Sequence, residues 1–264
     1  MPRLKLTLEY DGTRYVGWQV QPNGVSIQAR LMRGLEQLLG EPVAVSVAGR
    51  TDAGVHATGQ VVCFDTERQL PLKAYWLGLN RLLPEDIAVV RAEQVPPDFD
   101  PRRWSLGKRY RYRVSNLPSR SPLRRFTHWE VFTPLDVEAL RRGAAHLVGR
   151  HDFSAFRASD CQAAHAVREV RRVEIHAAAR GELSFSVEGT AFLKHMVRNL
   201  VGTLVEVGKG RRPDTWVAEV LASRERPRAG PTAPPQGLVL EEVFYAEGPP
   251  PRSPGVTADG DDEG

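Results

Sequence analysis

Asp52 is the only carboxylate in Gly49-Arg50-Thr51-Asp52-Ala53-Gly54-Val55-His56, a bend between an alternating segment at 43–48 and an apolar run at 60–66. An Asp near a Gly is ordinary turn chemistry, because its side chain can bond the backbone nearby. Arg50 two residues earlier is not needed for a hairpin, nor is the Thr51 hydroxyl. Gly49, Gly54 and Gly59 would let a ligand or another backbone approach closely. Asp52 is therefore a candidate reacting carboxylate, with a simple turn residue as the plain alternative.

Other residues could serve such a carboxylate. Arg198 lies in FLKHMVRNLVG, out of step with the helical stripe Phe192, Met196, Leu200 and Leu204. If buried it needs an acidic partner; if not, it is a solvated side chain. In Lys108–Val114, Tyr110, Tyr112 and Val114 share one strand face and Arg109, Arg111 and Arg113 the other. Aromatics beside arginines are a common RNA-binding composition. Two loops, Gly17-Trp18-Gln19 and His151-Asp152-Phe153-Ser154-Ala155-Phe156-Arg157, mix aromatics with amides or Arg. Trp18, Gln19, Phe153 and Arg157 are thus candidate contacts, with core packing as the alternative for the rings. The seven histidines form no metal constellation, and GxGxxG, Walker, GxSxG and HExxH motifs are absent from the sequence. An enzyme built on these residues needs no metal and no nucleotide cofactor.

The elements that must position them follow from periodicity. Residues 3–10 alternate as a strand and end at Asp11-Gly12. Ser26 caps a helix carrying Ile27, Leu31, Leu35, Leu38 and Leu39, which Gly40 closes. Strands at 43–48 and 60–66 flank the bend, and a helix at 71–82 and a strand at 87–95 complete the first half. The second half begins with the Tyr110 strand. It continues with a helix from Thr133, Pro134 taking its first position, and strands at 168–177 and 182–188. A helix at 191–207, a short helix at 214–223 and a strand at 237–245 follow. Strands and helices in this mixed order predict an α+β fold with antiparallel sheet. The expected domains are 1–104 and 105–246, with 247–264 a disordered acidic tail rich in Pro and Gly.

Charge points to a polyanion. The chain has 264 residues and a formal charge of +4. Residues 247–264 hold Glu247, Asp259, Asp261, Asp262 and Glu263 against Arg252, a charge of −4, so residues 1–246 carry +8. Only five of the 36 basic residues are Lys. Arginine binds phosphate bidentately and stacks on bases, which suits RNA, though a GC-rich genome gives the same bias. Cys63 and Cys161 form no CxxC pair or disulfide framework. The absence of a long apolar run predicts a soluble cytoplasmic protein with no membrane segment.

The blocks GRTDAGVHATGQV, FDPRRWSLGKRYRYRVSN, HDFSAFR, GTAFLKHMVRNLVGTL and APPQGLVLEEVFY, in that order, resemble the tRNA pseudouridine synthase A family, and EYDGTRYVGWQVQPNGVSIQ resembles its start. The likeness spans residues 4–246, departing at Pro101 and Trp104, where smaller residues are commoner. The resemblance implies two RRM-like, ferredoxin-like α+β subdomains sharing a central, mainly antiparallel sheet flanked by helices. It implies a cofactor-free homodimer acting on tRNA, at uridines 38, 39 and 40 of the anticodon stem-loop. By position, Asp52 is the catalytic carboxylate, Arg198 its ion-pair partner, and Tyr110 stacks on the uracil. Arg50 takes the place of the extruded base, while Thr51, Trp18, Gln19, Arg109, Arg111, Phe153 and Arg157 are further substrate-binding candidates. The residues leave open attack at C1′, attack at C6 or removal of the C2′ proton. An RNA-binding protein without catalysis, or a nuclease or glycosylase using the same carboxylate, are the competing classes.

Overall fold

A computed structural model describes residues 1–246, which fall into two compact units: Met1–Leu106 with the chain from Val239, and Gly107–Leu238. The last strand therefore groups with the first unit. The tail after 246 lies outside the described residues.

In the first unit the order is strand β1 (Arg3–Tyr10), helix α1 (Ile27–Leu39), β2 (Ser46–Val47) and β3 (His56–Asp65). Helix α2 (Leu79–Leu82), β4 (Ile87–Val95) and the returning strand β10 (Leu238–Tyr245) follow. The sheet runs β4-β1-β3, with β2 paired to the far end of β3, which is the ferredoxin-like 4-1-3-2 arrangement. β10 joins the same β3 in parallel at His56 and Ala57.

The alternation of β1 puts Leu4, Leu6, Leu8 and Tyr10 on its buried face. In antiparallel pairing, opposite residues share a face, so Phe64, Val62 and Gln60 of β3 lie beside Leu4, Leu6 and Leu8. α1 forms as its signals predict: the Ser26 hydroxyl accepts from Ala29 N at 3.2 Å, and Gly40 closes the helix through Glu36 O. Leu31 and Leu35 enter the core. Each such buried aliphatic side chain contributes about 1.5–3 kcal/mol relative to exposure. The expected strand 43–48 is shorter, because β2 pairs with β3 only opposite Cys63 and Val62. Cys63 is a buried free thiol, pushed up to about 12 by desolvation. Pro101 and Trp104 belong to a packed corner. Trp104 meets Phe99 edge-on with ring centres 5.0 Å apart, Tyr245 packs on Phe99, and the Tyr245 hydroxyl donates to Pro101 O.

The second unit contains β5 (Ser105–Ser115, its first two residues counted with the first unit), β6 (Trp129–Glu130), helix α3 (Val137–Ala145) and β7 (Gly149–Asp152). It continues with β8 (Val167–Ala178), β9 (Glu182–Gly189), α4 (Met196–Gly208) and α5 (Trp216–Ser223). Its sheet runs β5-β9-β8-β7, antiparallel throughout, with β6 added to β5 in parallel. The apolar sheet face pairs Tyr110 with Val187, Tyr112 with Phe185 and Val114 with Leu183.

α3 and α4 both start later than expected. α3 begins at Val137, capped by Asp136 on Ala139 N, not at Thr133. Asn116 explains this: its amide donates to Thr133 O and accepts from Leu135 N, holding that stretch out of the helix. α4 begins at Met196, not 191. His195 before it has φ +61°, a conformation that breaks a right-handed helix.

Candidate active site

The Asp52 bend is held from two sides by its own unit. Val55 N donates to Asp52 O at 3.1 Å, closing a tight turn around Ala53 and Gly54. The chain of residues 12–18 lies against it: Trp18 N donates to Thr51 O at 3.0 Å and Gly54 N to Tyr15 O at 3.3 Å. Gly17 allows this approach. It has φ +108°, and a Cβ there would sit 2.7 Å from Thr51 O. From the sheet side, Tyr10 Oη lies 2.8 Å from Thr51 Oγ1, and Gln60 Nε2 donates to Gly49 O at 2.7 Å and Tyr10 Oη at 3.3 Å. Thr51 is buried by these contacts, whereas Arg50 is exposed and Asp52 half-buried. The bend thus faces Gly49 and Thr51 inward and leaves its cation and carboxylate accessible.

β3 starts at His56, directly after the turn, and its register against β1 slips between Leu8–Gln60 and Tyr10–Ala57. Three residues of β3 span two of β1, a bulge of the kind found near functional sites. Gln60 and Tyr10 then lie diagonally on one face.

Tyr110 sits mid-strand in β5, 7% exposed, with Phe192 edge-on at 5.1 Å. Tyr112 is fully buried, its hydroxyl donating to Pro234 O at 2.7 Å. Desolvation pushes that hydroxyl well above the usual tyrosine range, with Arg198 opposing. On the other sheet face, Arg109 Nη2 lies 3.4 Å from Glu188 directly across on β9, and Arg111 and Arg113 face Ser186 and Ser184. All three arginines are half-buried.

Arg198 occupies the first turn of α4. Its Nε donates to Ala233 O at 2.7 Å and its carbonyl accepts from Ala233 N at 3.1 Å. Next to it, the fully buried Asn199 donates to Phe156 O at 2.7 Å and accepts from Thr232 Oγ1 and Arg226 Nη2. Asn199 thereby ties the helix to the HDFSAFR loop and to segment 226–234. Thr203 adds a bond from Gly230 N, and a Cβ at Gly202 would collide with Pro231 O.

The loop candidates divide. Trp18, 1% exposed, packs on Tyr10 at 6.4 Å, and Phe153, 0% exposed, packs between His151 and Phe156. Both rings are core, and neither offers a stacking face. Gln19 and Arg157 are half-buried at the surface. Asp152 caps its loop through Ser154, whose hydrogen bonds hold the carboxyl below its ordinary range.

Sequence reasoning passed over Tyr10, Gln60 and Asn199. Gln60 gave a signal: an amide leading directly into the apolar run Val61-Val62-Cys63-Phe64 must find partners if that strand is buried. Among the described residues no cluster of three or more His, Cys, Asp or Glu could hold a metal, and no helix is long and apolar enough to cross a membrane.

A sequence profile of the family described as tRNA pseudouridine synthase matches residues 7–102 and 144–246, which include the Asp52 bend and α4. That match makes the chain an isomerase of the pseudouridine synthase class. A tRNA pseudouridine synthase A from Myxococcus xanthus is 74% identical over 263 residues, covering 100% of this chain and 99% of the relative. Another from Geotalea uraniireducens is 50% identical over 246 residues, covering 93% and 100%. The chain belongs to the tRNA pseudouridine synthase A family. The profile stops short of 103–143, where Tyr110 lies, but the Myxococcus alignment spans it.

Proposed function

We propose that this protein isomerises uridine to pseudouridine in the anticodon stem-loop of tRNA, at positions 38, 39 and 40, without a cofactor. The reaction breaks C1′–N1 and joins C1′ to C5. The C5 proton leaves to solvent and N1 gains one, so the RNA keeps its mass. It needs a carboxylate next to a developing cation at C1′ and a base withdrawn from the stack, at a cost of a few kcal/mol.

The observation that carries this reading is the pinned bend: Thr51 is locked inward while Arg50 and Asp52 are left accessible. A turn with only a structural task has no use for a presented Arg and Asp. In this reading Asp52 is the reacting carboxylate, Arg198 its counter-charge, and Arg50 the cation that replaces the extruded base. Tyr110 supplies the ring and hydroxyl beside the target uracil. Its tight packing against Phe192 suits a fixed platform. Arg109, Arg111 and Arg157, with the +8 body, supply phosphate contacts. The working unit is a homodimer in the cytoplasm, where its tRNA is.

Tritium release from tRNA carrying [5-³H]uridine tests the reading, with wild type and Asp52→Asn compared. Release by wild type alone, with product mass unchanged, is expected. No release by either protein while both bind tRNA would leave only a binding protein. Loss of mass would indicate a nuclease or glycosylase.

A further inference from the structure

We infer that Tyr10 and Gln60 are positioning residues that set the place of the Asp52 carboxylate. The inference rests on Asp52 being the reacting group.

Gln60 is 0% exposed in the middle of a strand, a site that favours an apolar side chain. Its polarity is spent on the bend. Nε2 donates to Gly49 O at 2.7 Å and to Tyr10 Oη at 3.3 Å, while Oε1 accepts from Val61 N at 3.2 Å. Tyr10 Oη, which accepts from Gln60, also lies 2.8 Å from Thr51 Oγ1, a pair in which either hydroxyl can donate. Burial pushes the Tyr10 hydroxyl up to about 12, so it remains a donor at neutral pH. Two side chains from adjacent strands thus grip residues 49 and 51, one on each side of Arg50 and immediately before Asp52. The opposite side is fixed by Trp18 N on Thr51 O.

Three named side chains share this polar cluster, and each is buried. Loss of one hydrogen bond is a small part of a fold's stability. A displacement of about 1 Å at a reacting group can cost about a hundredfold in rate. The network should therefore be felt in turnover far more than in folding.

The test compares Tyr10→Phe, Gln60→Met, their double variant, Asp52→Asn and the remote core variant Leu39→Ala, using tritium release and melting temperature. Tyr10→Phe and Gln60→Met are expected to lower kcat about tenfold to a hundredfold with KM for tRNA within about twofold. The double variant should be no worse than the worse single, because both act through one network. Leu39→Ala should melt lower yet keep its kcat. If Gln60→Met does not fold, Tyr10→Phe, which removes one oxygen, decides alone. Wild-type kcat in Tyr10→Phe, an effect on KM only, or an equal loss in Leu39→Ala overturns the positioning role. If Asp52→Asn turns over normally, the reading of Asp52 falls, and this inference with it. If Asp52→Asn is dead and Tyr10→Phe is normal, only the positioning role falls.

Discussion

Arg198 and Ala233 exchange two hydrogen bonds: the side-chain Nε donates to the Ala233 carbonyl at 2.7 Å, and the Ala233 amide donates to the Arg198 carbonyl at 3.1 Å. The Nε bond fixes the plane of the guanidinium. A lysine keeps the charge but has neither this third donor nor a rigid fork. Arg198→Lys is therefore expected to fold normally, losing at most about 1.5 kcal/mol of stability. Its kcat at saturating tRNA should fall about a hundredfold, the scale of a misplaced charge donor. Full activity in Arg198→Lys would mean that charge alone suffices and the Ala233 anchor is incidental.

Trp18 stands next to the bend, and its backbone, not its ring, touches it. The amide donates to Thr51 O, while the indole is buried against Tyr10. Trp18→Ala is expected to lower unfolding stability by about 3–5 kcal/mol, as a large core truncation does. A urea titration reads this directly. Normal stability with a raised KM for tRNA would instead make the ring a substrate contact.

Much of this arrangement was legible in the sequence, and what was not has definite causes. Alternation in RLKLTLEY and KRYRYRV set the strand faces correctly, because one face of each strand meets a core and the period is two. The start of α3 was read too early because a distant side chain captured the backbone. Asn116, on the other side of β6, holds Thr133 and Leu135, and no local propensity reports that. The bend residues Arg50 and Asp52 were visible as unneeded chemistry in a turn. Their supports were not, since Tyr10 and Gln60 occupy ordinary core positions and meet only through a bulge register across two strands. Trp18 and Phe153 show the converse: an aromatic beside amides in a loop reads as a contact in sequence, and only the fold reveals that its ring is buried.

The positive charge of residues 1–246 has a kinetic and thermodynamic signature. Binding to RNA through phosphates releases counterions, so affinity falls steeply with salt. The Kd for tRNA is expected to rise at least about tenfold between 50 and 200 mM salt. Arg109 is already paired with Glu188, so Arg109→Gln should lower that slope by less than the roughly one unit that an unshared phosphate contact gives. Filter binding across salt concentrations checks both. A flat response would remove the phosphate contacts from the account.

Glu206 near the end of α4 gives a prediction about acid stability. Burial disfavours its ionised form, but Lys209 Nζ at 3.0 Å and Arg211 Nη1 at 3.1 Å outweigh this and hold the carboxyl below its ordinary range. A carboxyl whose folded value lies below its unfolded value binds fewer protons when native, so it contributes stability above the unfolded value. That contribution fades as pH falls through the folded value, below the usual range for Glu. Glu206→Gln should therefore melt below wild type at neutral pH, and the gap should narrow and close as the pH falls into the acid range. Melting curves of both proteins over pH measure it. A gap that stays constant down to strongly acid pH would mean that packing of the side chain, not its charge, supports the end of α4.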